Sequence, residues 1–202
     1  MATQFPLREK RKAQTRANLI HSAMRLFADN GYDNTTLEQV AEQAGLHVQT
    51  LYRHFRSTQE LVTAGDQDLL DEFRAAISDP ERQTNTFSFW RAWVERMGTL
   101  ASQDGGKRYR TLLRQRYGVA TVSTHIIAIG HEYEDLLTQA LARDFTVAST
   151  GSLSPARLAA ISMWGGNNHV TRRYATEDNV DLVAESVNVV DSVEALFAHL
   201  LS

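Results

Sequence analysis

Cysteine is absent from the 202 residues, which removes disulfides, thiolate zinc sites, iron–sulfur clusters and cysteine nucleophiles together. Proline is scarce: Pro6, Pro80 and Pro155 are all there is, so long stretches lack the residue that most strongly interrupts a helix. No apolar run approaches the ~20 residues of a membrane span, and the polar, basic stretch from Met1 to Lys12 lacks the apolar centre of a secretory signal. The chain is therefore expected to be soluble and cytoplasmic, without a membrane partner. Neither sign of charge dominates, and a net charge of -3 argues against a protein that coats nucleic acid indiscriminately.

That average conceals a gradient. Residues 1–64 carry eight Lys/Arg against six Asp/Glu, leaving 13 against 18 for the rest. Arg8, Lys10, Arg11 and Lys12 form a cationic arm at the start of the chain, the kind of local charge that attracts phosphate. Between the prolines, apolar residues recur at three and four rather than two, which predicts an all-α protein of about nine helices.

The first helix is expected from Lys10 to Asp29, with Ile20, Ala23, Met24 and Phe27 on one face and Asn30-Gly31 as its left-handed stop. Thr36 and Gln39 have capping-box spacing, so a second helix starts there, with Leu37, Val40, Ala41 and Ala44 as its buried stripe. Gly45 ends it. Leu46-His47 leave room only for a tight turn before a third helix, Val48 to Phe55, and the set has the spacing of a helix-turn-helix. Ser57 and Glu60 repeat the capping-box spacing and open a helix expected to reach Ser78. Further helices are expected over Thr86 to Ser102, Lys107 to Gly118, Ser123 to Phe145, Pro155 to Thr176 and Asp181 to Leu201, with a Thr/Ser/Gly loop from Ser149 to Ser154.

Two helices too short to be stable alone, propped on a longer one, suit insertion of the second into a major groove ~12 Å wide. Val48, Leu51 and Phe55 share the inward face of the third helix, which leaves the other side chains for DNA. Gln49 can pair with adenine, Val48 can touch a thymine methyl, and Thr50 can meet a base edge or a phosphate. Tyr52 and His54 suit phosphate oxygens, and Arg53 suits base or phosphate. Thr36, at a helix N-terminus, can donate to a phosphate. With His47 at the turn, these are the candidate DNA-binding residues.

The stretch from Thr36 to Leu61, TLEQVAEQAGLHVQTLYRHFRSTQEL, closely resembles the DNA-binding segment of the tetracycline-repressor (TetR) family. Val40-Ala41, Ala44-Gly45, Thr50-Leu51-Tyr52 and His54-Phe55 fall in the family's order, as do Leu26-Phe27 and Gly31-Tyr32 before paired threonines. Two positions depart from it. His47 stands where a small capping serine is usual, and an imidazole caps less well. Thr58 stands where a phosphate-reaching lysine is frequent, so one ionic contact is expected to be lost or shifted to Arg56.

The resemblance implies a sequence-specific transcriptional regulator: a helix-turn-helix domain over residues 1–57, a ligand-binding and dimerisation domain over 58–202, and a repressor that grips a palindromic operator as a homodimer until a small molecule releases it. It also implies that the last two helices meet their twins. Their apolar faces offer Leu158 and Ile161, then Val187, Val190, Val193, Phe197 and Leu200, as dimer-interface residues. Gly165-Gly166 interrupts the first of them at ~1 kcal/mol per glycine, which suggests close helix approach or a pocket wall.

A largely apolar effector is expected among the middle helices, where aromatic and polar residues mix: Phe89, Trp90, Trp93, Met97, Tyr117, His131, Tyr133, Trp164, Asn167 and Asn168. No metal, cofactor or catalytic residue is assigned. His125, His131 and His169 lack ligand spacing. An enzyme built on His131 with Glu134 or Asp135 lacks a nucleophile elbow or phosphate loop. A helical sensor without DNA binding would not need Thr50, Tyr52, Arg53 and His54 on its outer face.

Overall fold

The computed structural model describes residues 5–118, 120–146 and 153–201, and the chain is helical almost throughout. In order these are α1 Phe5–Asn30, α2 Leu37–Gln43, α3 Val48–His54, α4 Thr58–Ile77, α5 Thr86–Ala101, α6 Lys107–Gly118, α7 Ala120–Asp144, α8 Pro155–Thr176 and α9 Leu182–Phe197. Among the described residues the only extended pairing is an isolated bridge of Phe145 with Leu201, tying the last residues to the end of α7. Among the described residues no helix is long and apolar enough to cross a membrane. The expected loop from Ser149 to Ser154 lies largely outside the described residues.

Local chemistry accounts for most of the boundaries. Thr36 accepts from the Gln39 N–H while Gln39 Oε1 accepts from the Thr36 N–H, a complete capping box. Asn85, Ser154 and Asp181 cap α5, α8 and α9 by accepting from the N–H groups of Ser88, Arg157 and Ala184. The second expected box is only half made: Ser57 accepts from the Glu60 N–H, but the Glu60 carboxylate takes the Arg56 N–H instead of that of Ser57. Gly31 and Gly45 end α1 and α2 with φ of +89° and +67°. Helix α1 begins earlier than expected, so the cationic arm is helical. The C-terminal end of α8 is held by α6: Arg110 donates to the carbonyl of Glu177 and Arg114 to that of Ala175, as suits cations at a helix C-terminus.

Two main cores result. The head core joins Leu19, Ala23 and Phe27 of α1 to Val40, Ala41, Leu51 and Phe55, and is closed by Leu61, Val62 and Ala64 of α4. The same helix then sends Leu70, Phe73 and Ile77 into the body core. A domain boundary at 57/58 therefore cuts through the head, because the first turns of α4 supply part of its apolar floor. In the body, α7 packs on α8, α8 on α9, α9 on α5 and α4 on α7, while α6 lies against α1. Phe73 is the centre of the body core, with the rings of Phe89, Trp90, Trp93 and Tyr133 at 4.7–5.8 Å.

Candidate functional site

Helix α3 is anchored by Leu51 and, just beyond its end, Phe55, both essentially without exposure. The 3.6-residue period then turns His47, Gln49, Tyr52 and Arg53 to solvent, with Val48, Thr50 and His54 half-buried at its flanks. Val48 is divided between roles, since it also packs against the head core. His47 makes no side-chain cap, so α3 starts with an uncompensated N–H as the departure from serine implied. Thr36 accepts in its capping box, and its hydroxyl also serves the Glu38 carboxylate.

Two features could not be seen in the sequence. The Tyr52 hydroxyl donates to Glu38 Oε1 of α2 at 2.8 Å, so the tyrosine also ties the two short helices together. This bond holds the Glu38 carboxyl below its usual pKa and pushes the Tyr52 phenol up. The basic half of α1 runs beside the end of α3: the guanidinium of Arg16 lies 5.3 Å from the Phe55 ring and pairs with Asp68. Burial, then the positive charges of Lys12 and Arg16, lower the pKa of His54. At neutral pH His54 is thus an uncharged hydrogen-bonding ring. Thr58 is half-buried in the first turn of α4, whereas Arg56 is exposed.

Inside the body lies a cavity of about 210 Å3 between α4, α5, α6, α7, α8 and α9. Trp90, Trp93, Met97, Tyr117, Tyr133, Trp164, Asn167 and Asn168 line it. Phe89 does not; its ring packs on Phe73 with Arg82 over its face. His131 is also misplaced by the sequence reading: its side chain is 67% exposed, 3.8 Å from Glu134, because α7 turns Tyr133 and Leu137 inward and His131 out. Glu134 and Asp135 both meet Arg157 of α8.

Asn167 has a different task from that expected of paired amides. Its Oδ1 accepts from Trp90 Nε1 and its Nδ2 donates to the Ser186 carbonyl, both at 2.8 Å, which fastens α5, α8 and α9 to one another. Asn168 remains half-buried on the cavity wall. Gly166 serves close approach, since a Cβ there would come within 2.5 Å of Val189 on α9, whereas Gly165 faces open space. The sequence reading missed Asp66, Tyr109 and Arg116, which bring an ion pair and a phenol to the lining. Their one local signal is that Lys107–Gly118 carries only basic charge, too general to place one arginine in a cavity.

The outer surface of α8 and α9 also differs from expectation. Leu158 and Ile161 are exposed, at 42% and 38%. Val190 and Val193 are buried within the body core, and Phe197 and Leu200 pack partly against it, as Val187 is half-buried. Valines recur so closely along α9 that its pattern does not reveal which side faces in. The outward row contains Asn188, Ser192, Ala195 and Leu196, the last 70% exposed.

The family model for bacterial regulatory proteins of the tetR family matches residues 19–64, the segment that closes the head core. The transcriptional regulator TcmR of Streptomyces glaucescens is 26% identical, over 97% of this chain and 88% of its own. The chain also shares its fold with SmeT, the repressor of the SmeDEF multidrug efflux pump of Stenotrophomonas maltophilia, at a TM-score of 0.66 and 19% identity over 93% of this chain and 90% of that one. For FadR of Bacillus subtilis, solved in complex with stearoyl-CoA, the TM-score is 0.63 at 20% identity, covering 88% and 96%. Head sequence, helix-turn-helix geometry and overall fold agree in likening the chain to the tetR family of DNA-binding transcriptional regulators.

Proposed function

We propose that this regulator is a cytoplasmic homodimeric repressor. Two copies set their α3 helices into a palindromic operator about 34–36 Å apart, and a largely apolar small molecule in the body cavity releases them. Residues up to about Ala64 read DNA, and the remainder senses and dimerises. The observation that carries this reading is the outward row His47, Gln49, Tyr52 and Arg53, mounted on a head that shares α4 with the cavity wall. A guest that favours one setting of α4 and α6 also favours one spacing of the two heads, and DNA must weaken that guest by the same factor.

The test is a titration of the protein with the duplex upstream of its own gene and with a scrambled duplex, at several salt concentrations. Preference for the native duplex with two chains per site, falling steeply with salt, is the expected result. Equal, weak binding to both duplexes overturns the reading. Gln49→Ala should relax preference at one base position at about 1–3 kcal/mol, while Tyr52→Phe weakens all duplexes alike. If neither alters binding, α3 is not the reading element.

A further inference from the structure

The cavity has two unlike sides. Along α5, Trp90 and Ala101 both line it and are eleven residues apart, about 16 Å along the helix. Near the first stand the rings of Tyr133 and Trp164, stacked at 4.6 Å with 10° between their planes. Gly130 makes that possible, because a Cβ there would meet Trp164 Nε1 at 2.8 Å. Asp66, Tyr109, Arg116 and Tyr117 give the lining a polar side, and it is near the stacked rings: after burial, the Asp66 charge helps to push the Tyr133 phenol up. Arg116 pairs with Asp66, so the charges cancel, yet its Nε is buried without a hydrogen-bond partner.

Three more buried polar atoms lack partners among the described residues: Tyr32 Oη, Gln115 Oε1 and His125 Nε2. All belong to the same region. His125 Nε2 lies 3.8 Å from Asp66, Gln115 adjoins Arg116 in α6 and reaches Gly31, and Tyr32 follows Gly31 in the head. Native interiors leave few such atoms unsatisfied, and of the four only Arg116 Nε belongs to a residue of the cavity lining, so it is the one that a polar guest atom in the cavity can meet.

We propose that the cavity takes an uncharged two-ring aromatic molecule bearing a phenolic hydroxyl, whose rings lie against Tyr133 and Trp164 and whose oxygen meets the Asp66–Arg116 pair. The size follows from volume, since a cavity of ~150 Å3 holds one benzene and this one is about 210 Å3. A phenol accepts from Arg116 Nε and donates to the Asp66 carboxylate, matching both members of the pair. A carboxylate would bury a second negative charge beside Asp66, and a bare hydrocarbon would leave Nε unpaired. The proposal rests on the reading of this cavity as the effector site.

Calorimetric titration of the whole protein with 2-naphthol, naphthalene and 2-naphthoate tests it. The expected result is one 2-naphthol per chain, bound at least tenfold more tightly than either of the others. Asp66→Leu combined with Arg116→Met, which removes the pair without stranding a charge, should bring 2-naphthol down to the affinity of naphthalene, with circular dichroism verifying the fold. Tightest binding of 2-naphthoate, equal binding of all three, binding of none, or an unchanged preference in the double variant each overturns the proposal. Operator titration separates the two readings. If operator binding is sound and 2-naphthol does not bind, this proposal fails alone; if 2-naphthol binds as expected but leaves operator binding unaltered, the cavity chemistry stands and the effector role falls.

Discussion

Asn167 uses both ends of its amide inside the molecule, joining Trp90 of α5 to the backbone of α9. Asn167→Ala strands a buried indole N–H and a buried carbonyl, and should lower stability by about 1–3 kcal/mol, read from urea denaturation, with α3 untouched. If the loss is negligible, the staple is not a structural one. His54 makes a prediction of another kind. Its folded pKa is depressed from 6.5 by burial and by Lys12 and Arg16, so in the window below 6.5 the unfolded chain binds the proton that the folded head refuses. The head should lose stability as pH falls through that window, and His54→Asn should remove this part of the loss. An NMR titration of the His54 ring giving a value at or above 6.5 in the absence of DNA would contradict it.

The short helices of the head depend on their ends more than their lengths, since seven residues cannot hold a helix unaided. Thr36→Ala breaks the capping box of α2 and should cost about 1 kcal/mol, whereas His47→Ser supplies the side-chain cap that α3 lacks and should gain about as much. Amide exchange in α2 and α3 would register both, and protection moving the same way in the two variants would refute the capping account. Helix ends were legible in the sequence for the same reason: Thr36, Ser57, Gly31 and Gly45 act on neighbours three or four residues away. The exception is instructive. Glu60 reaches Arg56 rather than Ser57, a one-residue shift that spacing alone does not resolve.

At the scale of the whole molecule, α8 and α9 must serve an inner core and an outer face together. Leu158, Ile161 and Leu196 stand on the outside, while Val190 and Val193 do not. Ile161→Arg with Leu196→Arg should therefore yield a folded monomer by sedimentation, with operator affinity reduced at least a hundredfold because the half-sites are no longer held together. Val190→Arg should instead destabilise the body, by burying an unpaired charge. A double variant that stays dimeric would place the interface elsewhere.

The sequence by itself determined whatever rests on neighbours along the chain: helical periodicity, the caps and glycine stops, the tight turn between α2 and α3, and hence the family resemblance and the residues turned outward on α3. Tertiary structure alone decided the rest, because it depends on which distant residues meet. Packing sent His131 outward and Tyr133 inward on the same helix, gave Asn167 a staple's hydrogen bonds on the cavity wall, buried Val190 and Val193 of the expected dimer stripe, and brought Asp66 of α4 and Arg116 of α6 together in the lining of a cavity. Fifty residues separate that pair, and only the packing of α4 and α6 against their neighbours joins them.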